Sequence, residues 1–189
     1  LYLGHSCVTT DLEDSVITAL EYFLDHVHKE IGLLVGQEET ADATPLQMDP
    51  RQRTFQQFLT EKGLYEERFV SVGQFSTESG YQMMEQLIQD LGDDLPTAFF
   101  MASDALAVGA LRSLQEHQIA IPDRVSIMSF NDTSIAKYVF PALSTVTVYT
   151  EEMGKQAIQM LRQAFQGNQP SVPYMVKLAT KLTIRDSSR

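Results

Sequence analysis

Along the chain, short unbroken apolar runs take turns with longer segments whose apolar residues recur every three or four positions. "IGLLVG" (31–36), "RFVSVG" (68–73), "TAFFMA" (97–102), "RVSIMSF" (124–130) and "STVTVY" (144–149) are strand-sized and bounded by Gly or polar residues. Each predicts a buried strand. Helical patterns lie between them. Leu12, Val16, Leu20, Phe23, Leu24 and Val27 repeat at helical spacing behind Thr10-Asp11-Leu12-Glu13, which reads as a capping box. Asp49-Pro50 opens a second helix, with an acid at the cap and Pro at the first helical position, and Gly63 closes it. Residues 76–92 and 104–118 predict two more, and Gly92 stops the first of these. A fifth helix runs from Glu151 to about Phe165, with Gly167 after it. The polar stretch 37–48 reads as a loop, as does the chain from 131 through Pro141, and 174–185 finishes as extended chain.

Strand and helix alternate four or five times with short links, the pattern of a parallel sheet covered by helices on both faces. Parallel strands need such crossovers, and burial of both faces explains why the apolar runs are unbroken. The fold class is therefore α/β. In open sheets of this kind, ligands lie beyond the carboxyl ends of the strands.

Composition narrows the partners. At 189 residues, 43% hydrophobic and 21% charged, the chain is a soluble globular protein of one large domain, or one domain with part of another. Its longest apolar runs fall far short of a membrane span. The formal net charge of −11 repels phosphate, so this chain alone is a poor nucleic-acid binder. The single Cys7 rules out an intrachain disulfide and fits a reducing compartment. The chain begins at "LYLGHS" without a Met, so it reads as a fragment whose true start lies elsewhere.

Four strand ends carry distinctive groups. After the first strand and its loop, Arg51 and Arg53 fall in the first turn of a helix, where the backbone already presents positive partial charge, a conflict of about 0.3–1 kcal/mol. Either they are solvated and paired with Asp49 or Glu61, or a planar fork is placed to meet a hydroxyl pair or carboxylate. Phe75, in "GQFS", either stacks on the apolar face of a ring or plugs the core edge. Ser103 and Asp104 suit a helix cap and first turn, which explains them without any ligand. Asn131 and Asp132 follow a buried strand, and Asn can read hydroxyls without placing charge in a cleft. Taken together, these groups on one sheet edge look like a sugar pocket. Gly109, costly inside a helix, predicts close packing against a neighbour.

Other chemistries fail. "GHSCV" (4–8) lacks the second Gly of a nucleophile elbow, and His26 and His28, two residues apart, point to different helix faces. No P-loop and no G-x-G-x-x-G occurs, so no cofactor, metal or enzymatic activity is expected.

Residues 96–161 resemble the C-terminal core of LacI/GalR-family transcriptional regulators, in the ordered succession "P-T-A-x-F-x-A-S-D-x-x-A-x-G-A-L", "I-P-x-x-V-S-I" and "P-x-L-S-T-V". "HKEIGLLVG" (28–36) and "SGYQMMEQL" (79–87) extend the likeness over nearly the whole chain. "FND", "STV" and "KLTIRDSSR" are most similar to the evolved-β-galactosidase repressor branch, which answers to galactosides. The resemblance implies a periplasmic-binding-protein-like fold of two lobes with a small sugar effector between them. By this mapping 8–147 and 174–189 form the C-terminal lobe, 148–173 is a crossover and helix of the N-terminal lobe, and most of that lobe is absent. The helix at 151–165 is then expected to be displaced, or to bury Met153, Ala157, Met160, Leu161 and Ala164 against a second copy. The resemblance assigns effector binding to Arg51, to Phe75 by stacking, to Ser103 with Asp104 from the "ASD" turn, and to Asn131, where the family usually has Asp. Val27 stands where the family has Gly. A cytoplasmic repressor follows, dimeric through helices of this lobe and reading operator DNA through an N-terminal head absent from this chain. A periplasmic sugar-binding protein of a transport system is the alternative, and a sugar-processing α/β enzyme a third.

Overall fold

The strand order places the chain's two halves on opposite sides of one central strand. The computed structural model describes residues 5–37, 48–168 and 170–189. Among these, the chain runs β1 (Cys7–Thr10), α1 (Leu12–Asp25), β2 (Ile31–Gly36), α2 (Pro50–Glu61), β3 (Val70–Gly73), α3 (Thr77–Leu91), β4 (Ala98–Met101), α4 (Asp104–Glu116), β5 (Ser126–Asn131), β6 (Ser144–Thr147), α5 (Thr150–Phe165), β7 (Met175–Leu178) and β8 (Lys181–Thr183). The main sheet has the order β3-β2-β4-β5-β6-β8. Its pairs are parallel except β8, which runs antiparallel to β6. Helices α1 and α2 pack together against the sheet, as do α3 and α4. From β2 the chain steps one way to β3, while β4 and β5 lie the other way. With right-handed crossovers this reversal sends the two helix pairs to opposite faces. The sandwich buries β2 and β4 completely, with Leu33, Leu34, Phe99 and Phe100 fully excluded from water.

The parallel α/β reading therefore holds, and most elements fall where the apolar pattern puts them. Asp49 caps α2 by accepting from the Arg51 N–H, with Pro50 behind it, and Gly63 follows the helix at φ +70°. Gly92 caps α3 at φ +52°. The expected loop at 37–48 lies almost wholly outside the described residues.

The differences sit at the chain's two ends. Thr10 is the last residue of β1, not the cap of α1. Its hydroxyl donates to the Leu178 carbonyl, and Asp11 caps the helix by accepting from the Asp14 N–H. Pairing with β7, more than 160 residues away, draws Cys7–Thr10 into a strand that no local pattern announces. The extended tail divides accordingly, β7 joining β1 and β8 joining β6. Residues 7–10 and 175–178 thus form a two-stranded sheet separate from the six-stranded one. Helix α5 packs on β1; along it Met153, Ala157 and Met160 are half-buried, while Leu161, Ala164 and Phe165 are exposed.

Val27 falls outside α1, is 86% exposed and has φ +63°. A β-branched residue is poorly tolerated in this left-handed region. Val27→Gly is expected to raise stability by about 1 kcal/mol, since relief of backbone strain exceeds the entropy that Gly adds to the unfolded chain. Thermal unfolding reads this as a Tm higher by roughly 2–4 °C. An unchanged or lower Tm contradicts it.

Candidate functional site

Strands β2 and β4 are neighbours, yet the connections from their carboxyl ends turn to opposite sides, which opens a crevice between them. A cleft of about 910 Å³ occupies this edge. Arg51, Phe75, Ser103, Asp104 and Asn131, contributed by four separate connections, all line it. The five positions that the sequence singles out therefore converge.

Arg51 is set by three elements. Its Nε and Nη2 donate to the two oxygens of Asp49 at 2.9 and 2.8 Å, and Nη1 donates to the Ala102 carbonyl at 2.7 Å. The guanidinium lies 4.8 Å from the Phe75 ring centroid and 5.4 Å from that of Phe130. Pairing with Asp49 thus occurs, but in a buried setting. The residue is 8% exposed, and its fork ties the start of α2 to the end of β4 across the crevice. Of five N–H donors, three are engaged among the described residues, leaving one on each Nη. Because Asp49 balances the charge, Arg51 lines the cleft as a set of directional donors rather than as a bare cation. Arg53 does not join them. It is exposed, and its guanidinium sits 3.8 Å from Glu13 on α1 and forms no ion pair with Asp49 or Glu61 among the described residues.

Phe75 owes its place to a glycine. A Cβ on Gly36, the last residue of β2, would stand 2.4 Å from the Phe75 ring and 2.7 Å from its backbone nitrogen. The ring fills the space that a side chain would take and forms one wall of the cleft. Gly36→Ala is expected to push this wall inward at a strain of about 1–3 kcal/mol. Affinity for a ligand in the cleft should fall by about tenfold or more. Titration calorimetry on the full-length protein tests this, and unchanged affinity sinks it.

Ser103 caps α4, its hydroxyl accepting from the Leu106 N–H at 3.3 Å. Asn131 ends β5 with φ +113°, and Asp132 follows at φ +58°. The Asn131 side chain has no hydrogen-bond partner among the described residues, whereas Asp132 turns away to Arg185 at 2.7 Å and Thr147 at 2.9 Å. Asp104 also lines the cleft, but its carboxylate is spent on protein donors from β5, β6 and the turn after β5. Gln37, Thr77 and Thr133 complete the polar lining and were not singled out from sequence. Gln37 directly follows a buried strand, so the rule that found Asn131 also applies to it. Thr77 and Thr133 carry no signal of their own.

What the lining offers is a stacking face beside hydroxyl and amide groups and a charge-balanced fork, a set suited to binding a polyhydroxylated ring. Hydrogen bonds from the Ser113 hydroxyl and then His117 hold the Glu85 carboxyl below its usual range, on the seam of α3 and α4. Among the described residues, no three His, Cys, Asp or Glu side chains gather as a metal site, and no helix is long and apolar enough to cross a membrane.

Residues 20–188 match the family described as a periplasmic binding protein-like domain. The HTH-type transcriptional regulator GalR of Streptococcus thermophilus is 49% identical over 186 residues, covering 98% of this chain and 56% of that protein. The HTH-type transcriptional regulator GanR of Bacillus subtilis is 38% identical over 181 residues, covering 95% and 54%. Among solved structures, a complex of the transcriptional regulator CelR with cellobiose superposes with a TM-score of 0.85 at 26% identity, over 97% of this chain and 54% of that one. The chain thus spans about half the length of the relatives it matches.

Proposed function

Because the chain belongs to the periplasmic-binding-protein-like domain family and its relatives are LacI/GalR-type transcriptional regulators, we propose that it is part of the effector-binding core of a sugar-responsive repressor. The observation that carries this reading is the convergence of Arg51, Phe75, Ser103 and Asn131 on one cleft at the switch point of the sheet. The relatives are regulators, not enzymes, and they do not favour a periplasmic transport role. A neutral sugar of the galactoside class is the proposed effector. Asp49 already balances Arg51, and Asn131 adds no charge, so nothing in the lining calls for an anionic ligand.

In this reading β1, β7 and α5 begin a second lobe. A two-stranded sheet is marginal by itself, and Ile158, Leu161 and Phe165 on α5 are 67%, 57% and 88% exposed. Sugar held between the lobes stabilises one arrangement of a dimer over the other. It shifts the balance only by its difference in affinity for the two. Tyr138 and Phe140, 83% and 86% exposed beside α4, support a second copy of the chain as partner. Operator DNA is read by a separate head in the cytoplasm, consistent with the acidic balance of this part.

The test is thermal unfolding and operator binding of the full-length protein with D-galactose, lactose, cellobiose and galactose 1-phosphate. A neutral galactoside should raise Tm and weaken operator binding, while the phosphate ester does neither. A protein indifferent to all four contradicts the reading, and a response to the ester alone contradicts the neutral class.

A further inference from the structure

Asp104 is 1% exposed at the mouth of the cleft, and both of its oxygens are filled. One accepts from the Ser129 hydroxyl at 2.6 Å and the Thr145 hydroxyl at 3.2 Å. The other accepts from the Thr133 backbone N–H at 2.7 Å and the Thr133 hydroxyl at 2.8 Å. A carboxylate has about four lone-pair directions. All four meet protein donors here, which leaves none for a ligand.

Thr133 and Thr145 among those donors bear on the turn that begins at Asn131. Two successive residues, Asn131 and Asp132, occupy the left-handed side of backbone space at φ +113° and +58°. Such conformations persist where the surroundings over-determine them. Asp104 holds both donors of Thr133 just beyond the turn, and the Asp132 N–H donates to the Thr145 hydroxyl at 3.3 Å. On the other side, the Asp132 carboxylate accepts from Arg185 and Thr147. Asn131, whose side chain has no hydrogen-bond partner among the described residues, is carried on this doubly strapped turn.

We propose that Asp104 is a positioning residue for Asn131: it does not touch the effector, but fixes the 131–133 turn so that the Asn131 amide stands in the cleft. This replaces the direct contact expected from the sequence, and it rests on the effector reading of the cleft. The selectivity of the site for its sugar then depends on a carboxylate that the sugar never meets.

Two measurements on the full-length protein decide it. In Asp104→Ala no acceptor remains for either Thr133 donor, so the 131–133 turn loses its anchor. Amide hydrogen exchange at 132–134 should quicken by about tenfold or more, while the α4 amides keep their protection. Thr133→Val should quicken it less, and Thr133→Ser should restore the wild-type rate. Titration with D-galactose and lactose then completes a double-mutant cycle. Asp104→Ala should weaken binding by about tenfold or more in the wild type, yet by less than about threefold when Asn131 is already Ala. Equal losses in both backgrounds indicate direct contact and overturn the proposal. So does a turn whose exchange is unchanged, or a loss of protection spread through α4. A wild-type protein that binds neither sugar counts against the proposed effector, and exchange at 132–134 still decides whether Asp104 holds the turn.

Discussion

Arg51→Ala in the full-length protein is expected to abolish sugar-induced thermal stabilisation and to lower Tm even without sugar. Two effects separate here. The first is loss of the two N–H donors that remain for a ligand. The second is structural. Asp49, with 8% of its side chain exposed, is left as a buried charge without its partner, and the Ala102 carbonyl loses a donor. Breaking one side of a buried pair costs about 3–5 kcal/mol. For a domain of this size that corresponds to a Tm lower by roughly 10 °C. Arg51→Lys should keep the charge but not the fork, and so recover part of the stability while failing to restore binding. Thermal unfolding with and without a responding sugar gives both readings. A ligand-induced shift that survives Arg51→Ala removes Arg51 from the site, and an unchanged ligand-free Tm contradicts the buried pair.

Gly109→Ala should destabilise the fold by about 3 kcal/mol, the upper end of what overpacking costs. Inside an exposed helix the same change is worth up to about 1 kcal/mol in the stabilising direction. The sign reverses because a Cβ on Gly109 would stand 2.0 Å from the Thr77 carbonyl oxygen and 2.5 Å from the Tyr81 nitrogen. Gly80, on the facing helix, is opposed in the same way, its Cβ position 2.3 Å from the Leu106 carbonyl oxygen. Backbone meets backbone where α3 crosses α4, and no rotamer can yield. Gly154 provides the control. Nothing lies within 4 Å of its Cβ position on α5, so Gly154→Ala should be neutral or stabilising. Chemical denaturation of both variants checks the pair, and a mild effect at Gly109 contradicts the crossing. Since Thr77 also lines the cleft, a shifted α3 should weaken ligand binding too.

The parallel sheet was legible because its strands are buried on both faces. Ile31–Gly36 and Ala98–Met101 read as apolar runs because water touches neither side of them. The cleft was legible for a related reason, since polar residues placed immediately after such runs must emerge at one edge of the sheet. Gly109 announced its close contact because a helix tolerates Gly poorly without cause. What stayed hidden depends on distant partners. Cys7–Thr10 becomes a strand only by pairing with Met175–Leu178. Gly36 makes room for a ring 39 positions further along the chain, and nothing in its neighbourhood says so. Asp104 looks like a first-turn acid, and only the fold shows that donors from β5 and β6 consume its carboxylate. Arg51 illustrates both sides. Its conflict with the helix start drew notice to it, while its burial between Phe75 and Phe130 needed three elements brought together.

The most direct test of the cleft as a sugar site is a crystal structure of the full-length protein grown with a galactoside that shifts its Tm. The account expects the sugar ring against Phe75, with hydroxyls about 3 Å from the free Nη donors of Arg51 and from the Asn131 amide. Sugar bound elsewhere on the molecule, with this cleft holding only water, would contradict it.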